Sequence, residues 1–191
     1  MSMLNSRLSK VAAGLAVASA FAVAPVASQA ADTDATGTLT AGGLTNTAPV
    51  ITPFGVTLTG FPQGVNTAVG AWSVTDATGS NDGYSVTVAA SNPTVGGVEA
   101  AAGTGGSLTL TPKDATPADG NPRTVGPQAT AAQVLTEGGV TIQNADPGTG
   151  QGEWDFAADA SLEKSLSVVI PADASAGAYS STLTFTAAPA V

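Results

Sequence analysis

Residues 72–88 read Trp-Ser-Val-Thr-Asp-Ala-Thr-Gly-Ser-Asn-Asp-Gly-Tyr-Ser-Val-Thr-Val, and this stretch predicts the fold. Apolar side chains alternate with Ser or Thr on both sides of a turn-forming Asn81-Asp82-Gly83. Successive side chains of a strand point to opposite faces of a sheet, so each half of the stretch has one buried and one wet face. The stretch therefore predicts two strands joined by a turn.

The same period of two recurs along the chain, with Gly, Pro, Asn and Asp clusters between the repeats. The further alternating segments are 54–58, 108–110, 140–142, 166–170 and 183–185. No window shows an apolar stripe at helical spacing. We therefore predict an all-β fold, a single antiparallel β-sandwich of about eight or nine strands.

The N-terminal residues 1–30 are typical of a secretory signal peptide. Arg7 and Lys10 precede the apolar run 11–24, and Ser28-Gln29-Ala30 forms a small-x-small cleavage site. The apolar run is shorter than the roughly 20 residues that span hydrocarbon. We expect a secreted protein that begins near Ala31, with no membrane insertion in the mature form.

The composition excludes several kinds of chemistry. The chain has no cysteine and no histidine, so disulfides, a catalytic imidazole, a thiolate nucleophile and a Cys/His zinc site are all absent. Without the leader, Lys113, Arg123 and Lys164 face 14 acidic residues, a formal net charge of −11. Such a chain repels nucleic acid and anionic lipid, so we expect neither as a partner. We also expect no cofactor.

One domain is expected to follow the leader. Residues 31–48 offer little to bury and are predicted to form a flexible N-terminal segment, and 49–191 to form the sandwich. The Pro-rich stretch 112–138 is predicted to leave the sandwich as a loop, ending in a short helical turn at 129–135. The large side chains expected to fill the core are Phe54, Phe61, Trp72, Tyr84, Trp154, Phe156, Tyr179 and Phe185.

The order of these segments resembles the WxL domain of Gram-positive surface proteins. In that family a strand ending in an aspartate turn leads to Gly-Trp-x-Leu, and residues 83–86, Gly-Tyr-Ser-Val, stand at that place. The family's last strand reads Gly-x-Tyr-x-x-x-Leu-Thr-Trp-x-Leu, which is similar to the stretch 176–187, where Phe185-Thr186-Ala187 stands at the second Trp-x-Leu. Smaller aromatic residues replace both tryptophans, and Val86 and Ala187 replace the leucines.

This resemblance implies a protein of the cell wall or cell surface that binds the wall noncovalently, mostly through peptidoglycan, beside other surface proteins. The residues it implies for binding are Tyr84, Val86, Tyr179, Leu183 and Phe185. For Tyr84 and Phe185, packing in the core at alternate strand positions is the competing interpretation.

Two pairs of acidic residues suggest other chemistry. Glu153 and Asp155 flank Trp154 on a predicted strand, so both carboxylates point to one side about 7 Å apart, a spacing that a glycosidase also uses. A wet strand face produces the same pair, and we expect no catalysis. Asp76 and Asp82 bracket a loop with oxygen ligands for calcium, but its spacing differs from an EF-hand loop, and a plain turn is the alternative.

Three functions therefore remain open from the sequence. The first is a non-catalytic surface module that binds cell-wall polysaccharide or peptidoglycan. The second is a structural or adhesive subunit of a surface assembly, which contacts other surface proteins through an edge strand or the N-terminal segment. The third is a secreted glycosidase that uses Glu153 and Asp155.

Overall fold

The protein is described by a computed structural model covering residues 37–95, 98–99, 106–158 and 166–190. The described residues form antiparallel strands and no helix, so the predicted all-β class is confirmed. The predicted signal peptide, residues 1–30, lies outside the described residues. The strands are β1 Leu44–Asn46, β2 Gln63–Thr67, β3 Trp72–Asp76, β4 Tyr84–Ala90, β5 Thr94–Val95, β6 Val98–Glu99, β7 Ser107–Leu110, β8 Thr116–Pro117, β9 Gln128–Ala129, β10 Gln133–Val134, β11 Val140–Ala145, β12 Gly152–Phe156, β13 Leu166–Ile170, β14 Tyr179–Ser180 and β15 Leu183–Pro189.

The strands form four antiparallel sheets, all within the compact unit Leu39–Val191. Sheet I has the order β1-β3-β12-β8, sheet II the order β10-β7-β13-β2, sheet III the order β15-β4-β11-β9, and sheet IV the order β14-β5-β6. Of the fifteen described strands, nine have three or more residues and six have two. The longer strands number about as many as predicted, and the short ones come from the connecting segments. A membrane-spanning helix is not found in the described part of the chain.

Sandwich-like packing of these sheets encloses one core. Every second residue of β3 and β4 is buried, as the period of two predicts. The largest fully buried side chains are Trp154, Tyr84 and Phe156. Trp72 lies opposite Phe156 on the neighbouring strand, and the two rings stack with their centroids 3.9 Å apart. Cross-strand aromatic pairs of this kind stabilise sheets beyond their buried area.

The expected ring core is wrong for Phe54, Phe61 and Tyr179, which are exposed. The alternating segment 54–58 forms no strand and lies in the irregular stretch that leads to β2. Proline residues bracket this stretch at 53 and 62, and Gly60 has a positive φ of 76°. A strand needs a neighbour for its backbone groups, and this segment is paired with none among the described residues.

The connections also differ from expectation at three places. Residues 44–46, in the segment expected to be flexible, form β1 and pair with β3, so the sheets begin before residue 49. The helical turn expected at 129–135 is wrong: this stretch contains part of β9 and all of β10. The proline expected to disfavour a strand, Pro117, sits in β8 at the edge of sheet I, where a missing N–H is tolerated.

A β-bulge in β11 places a polar side chain in the core. The register between β11 and β4 shifts between Thr141 and Gln143, so Ile142 and Gln143 are both buried although they are neighbours. The Gln143 Nε2 donates to the Lys113 carbonyl oxygen at 2.6 Å, which satisfies one end of the amide. Strict alternation would have placed Gln143 in solvent, and only the bulge reverses that.

Candidate functional site

The two motif-like segments meet in sheet III. Residues 84–86 lie on β4 and residues 185–187 on β15, and these strands are antiparallel neighbours. Val86 lies directly opposite Ala187, and Val88 lies opposite Phe185. Two segments about 100 residues apart in the chain thus form one ladder.

Tyr84 and Val86 are fully buried, so their side chains present no surface to a ligand. The Tyr84 hydroxyl has no hydrogen-bond partner among the described residues. Burial, and to a smaller extent the negative charge of Asp76, raises the pKa of Tyr84 well above its ordinary value. Both residues therefore belong to the core, and a binding surface in this region must be built by others.

Tyr84 makes the fold sensitive to alkali. The unfolded chain releases the phenol proton above about pH 10, whereas the buried phenol keeps it, so stability present below that pH is lost as the pH rises. We expect the free energy of unfolding to fall by up to about 1.4 kcal/mol for each pH unit in this range. Tyr84→Phe should lack this contribution, and near neutral pH it should match or exceed the wild type, since it removes an unpaired buried hydroxyl. Denaturant unfolding of the wild type and of Tyr84→Phe between about pH 9 and pH 11 measures how each free energy of unfolding depends on pH. If both fell equally with rising pH, Tyr84 would not be the group responsible.

The other three predicted binding residues, Tyr179, Leu183 and Phe185, line one groove of about 730 Å³. The rest of its lining comes from β13, from Leu108 of β7, from Pro93, from the irregular segment 49–58 and from the segment 174–181 that includes β14. This volume is in the range of ligand sites, which are mostly apolar with a few polar groups. The resemblance stated in the sequence analysis predicted these three residues as binding residues, and in the structure they line the same groove.

Aromatic residues stand at the groove mouth. Phe54 is 44% exposed and Tyr179 is 38% exposed, and the Tyr179 hydroxyl donates to the Ser175 carbonyl oxygen at 2.8 Å. Phe185 is half-buried and reaches the core, since its ring lies 5.4 Å from that of Trp72. The exposed rings of Phe54 and Tyr179 therefore offer flat apolar surfaces to a ligand, and the Phe185 ring connects the groove to the core.

The groove is uncharged in a strongly acidic chain. Among the described residues that line it, none is Asp, Glu, Lys or Arg, although the sequence contains 14 acidic residues. The polar residues of the lining are Thr52, Ser175, Tyr179, Ser180 and Ser181, and small residues make up the rest of the segment 174–178. The sequence did not indicate that 54–58 would line a groove, because its alternation was interpreted as a half-buried strand.

Neither of the two acidic pairs, Glu153 with Asp155 or Asp76 with Asp82, lines the groove. Glu153 and Asp155 are both exposed on β12, while Trp154 between them is buried. The Asp76 Oδ1 accepts hydrogen bonds from the Thr78 backbone N at 3.0 Å and from its Oγ1 at 2.7 Å, as in an Asx turn. The described part of the chain contains no group of three or more His, Cys, Asp or Glu that could hold a metal ion.

Comparison with known proteins identifies a family. A protein-family model described as "WxL domain surface cell wall-binding" matches residues 62–189, about two thirds of the chain. The matched range includes both motif-like segments and most of the groove. No curated protein and no solved structure matches the chain.

Proposed function

Because the chain belongs to the family of WxL domain surface cell wall-binding proteins, we propose that it attaches to the wall noncovalently by binding peptidoglycan. Family membership makes it a cell-surface, wall-binding protein. The proposal adds the ligand, the mode of attachment and the absence of catalysis.

The observation that carries the proposal is the uncharged groove with Tyr179 and Phe54 at its mouth. Glycan chains present flat C–H faces, which aromatic rings cover well, and hydroxyl groups, which backbone groups of a small-residue loop can bond. The acidic remainder of the surface repels anionic wall polymers. The groove therefore favours the neutral glycan of the wall over its charged components.

The proposal has a direct test in sedimentation with purified peptidoglycan sacculi. We expect wild-type protein to sediment with the sacculi, and Phe54→Ala or Tyr179→Ala to weaken binding about tenfold each, the loss of roughly 1.4 kcal/mol of stacking and buried area. Val134→Ala is the matched control, because Val134 is 56% exposed and lies outside the groove lining. It should bind like the wild type.

Salt separates this mode of binding from an electrostatic one. Since the groove lining is uncharged, binding should change little between about 0.1 M and 1 M salt. Protein that stays in the supernatant at low and high salt alike would contradict peptidoglycan binding. Binding that Val134→Ala weakens as much as Tyr179→Ala would contradict the groove as its site.

A further inference from the structure

Most edge strands of the described sheets are short or covered. The edge strands β6, β8, β9, β10 and β14 have two residues each, and β1 has three. β15 has seven residues, but the Asn46 side chain occupies its outer edge, donating from Nδ2 to the Phe185 carbonyl oxygen at 3.1 Å and accepting from the Ala187 N–H at 3.2 Å. An amide placed in this way imitates a neighbouring strand and blocks pairing with another chain.

β2 is the exception. It has five residues at the edge of sheet II and pairs with β13 on one side. No hydrogen bond within the described part of the chain reaches the other side of β2 between Gln63 and Asn66. Gly64 and Asn66 are exposed, and the strand contains no proline, no charge and no bulge, the features by which proteins usually protect such an edge.

Sheet II, like sheet III, has no charged residue in its described strands, and of the two only sheet II has a long edge strand that no side chain covers. None of its four described strands contains Asp, Glu, Lys or Arg, and the sequence has no charged residue between Asp34 and Asp76. Two copies of a chain with a net charge of −9 repel each other over most approaches. Repulsion is weakest where the uncharged edges of the two sheets face each other.

An exposed aromatic residue lies beside this edge. Phe61 is 74% exposed and precedes the first residue of β2 by two positions. A large apolar side chain held in water next to an unpaired strand gains buried area when a second strand arrives. A two-strand pairing alone is weak in water, and this contact adds to its backbone hydrogen bonds.

We propose that two copies of the chain associate through β2, edge to edge and antiparallel, so that sheet II continues across a twofold axis. Phe61 of each copy packs at the seam. The interface is isologous, because the same strand contributes from both copies, and no residue of β2 lines the groove. A dimer of this kind presents two wall-binding sites at once.

Gly64→Lys is the decisive variant. A Cβ at Gly64 meets nothing within 4 Å, so the fold accepts a side chain there, while a charge on the edge opposes pairing. Asn66→Lys tests the same edge at an exposed position. Gly138→Lys is the control: its Cβ would meet only the Thr136 Oγ1 at 3.9 Å, and it lies in the turn between β10 and β11, outside β2.

The measurement is molar mass by light scattering from about 1 μM to 1 mM of the full chain, expressed with export so that processing occurs as in the cell. We expect the mass to double with concentration for the wild type and Gly138→Lys, and to stay that of one chain for Gly64→Lys and Asn66→Lys. Circular dichroism checks that each variant is folded. If either Gly64→Lys or Asn66→Lys is unfolded, the other edge variant tests the proposal.

Three results would overturn the proposal. They are a monomeric wild type over the whole range, a dimer that survives in the folded edge variants, and a Gly138→Lys chain that is monomeric as well. Wall binding is measured separately, so a failure of the dimer leaves the peptidoglycan proposal standing, and the reverse also holds.

Discussion

Trp154→Ala is expected to lower the free energy of unfolding by about 3–5 kcal/mol. Trp154 is 1% exposed and lies on β12, in register with Val74 of β3 and Pro117 of β8. Its Nε1 donates to the Gln151 carbonyl oxygen at 3.1 Å. Alanine would leave a cavity in the middle of sheet I and remove one of the two side-chain hydrogen bonds that the Gln151 carbonyl oxygen accepts. Since domains are stable by roughly 5–15 kcal/mol, this loss amounts to about a fifth of the total or more.

The backbone around Trp154 has little room to collapse into that cavity. Gly126 lies so close to the ring that a Cβ there would be 2.7 Å from the Trp154 Cη2. Denaturant unfolding followed by circular dichroism measures the loss, with Val134→Ala as the control, since Val134 is 56% exposed. The control should change stability by no more than about 0.5 kcal/mol. A Trp154→Ala loss below about 1 kcal/mol would show that the ring is not part of a close-packed core.

Gly83→Ala is expected to be the most damaging change at the motif-like segments. Gly83 precedes Tyr84 with a φ of 80°, a conformation that costs a residue with a Cβ about 1–2 kcal/mol. A Cβ there would also press on the Ala145 carbonyl oxygen and lie 2.9 Å from the Asp146 carbonyl carbon. Because these atoms are backbone, β4 and β11 would have to separate, and we expect a total loss of about 3 kcal/mol or more.

Gly60 provides the matched control for this change. Its φ is 76°, but a Cβ at Gly60 would meet nothing within 4 Å. Gly60→Ala therefore carries the conformational cost without the contact, about 1–2 kcal/mol. The difference between the two unfolding free energies isolates the close approach of β11. Equal losses in the two variants would contradict the packing described around Gly83.

Alternation of apolar and hydroxyl residues was sufficient to predict the class of fold and most of its long strands. β3, β4, β12 and β13 lie where the pattern places them, because the period of side-chain direction is a property of the extended backbone itself. The pattern was not sufficient at residues 54–58, which alternate in the same way. Whether an alternating segment becomes a strand depends on a partner strand, which local sequence does not specify.

The candidate site, too, was predicted only in part from the sequence. The aromatic residues at the motif-like positions, Tyr84 and Phe185, were identified from sequence order, and so was Tyr179. Tyr84 is fully buried, Phe185 half-buried and Tyr179 exposed, and their local sequences do not distinguish these outcomes. Burial is a property of the packed sheets, because it depends on which distant segments cover a side chain.

Export, acidity, the absence of cysteine and histidine chemistry and the β class all follow from residue types and their local spacing. The groove, the bulge that buries Gln143 and the uncovered edge of β2 follow from contacts between segments far apart in the chain. Asn46, about 140 residues from the strand it covers, shows why: its role exists only once β1 and β15 lie side by side.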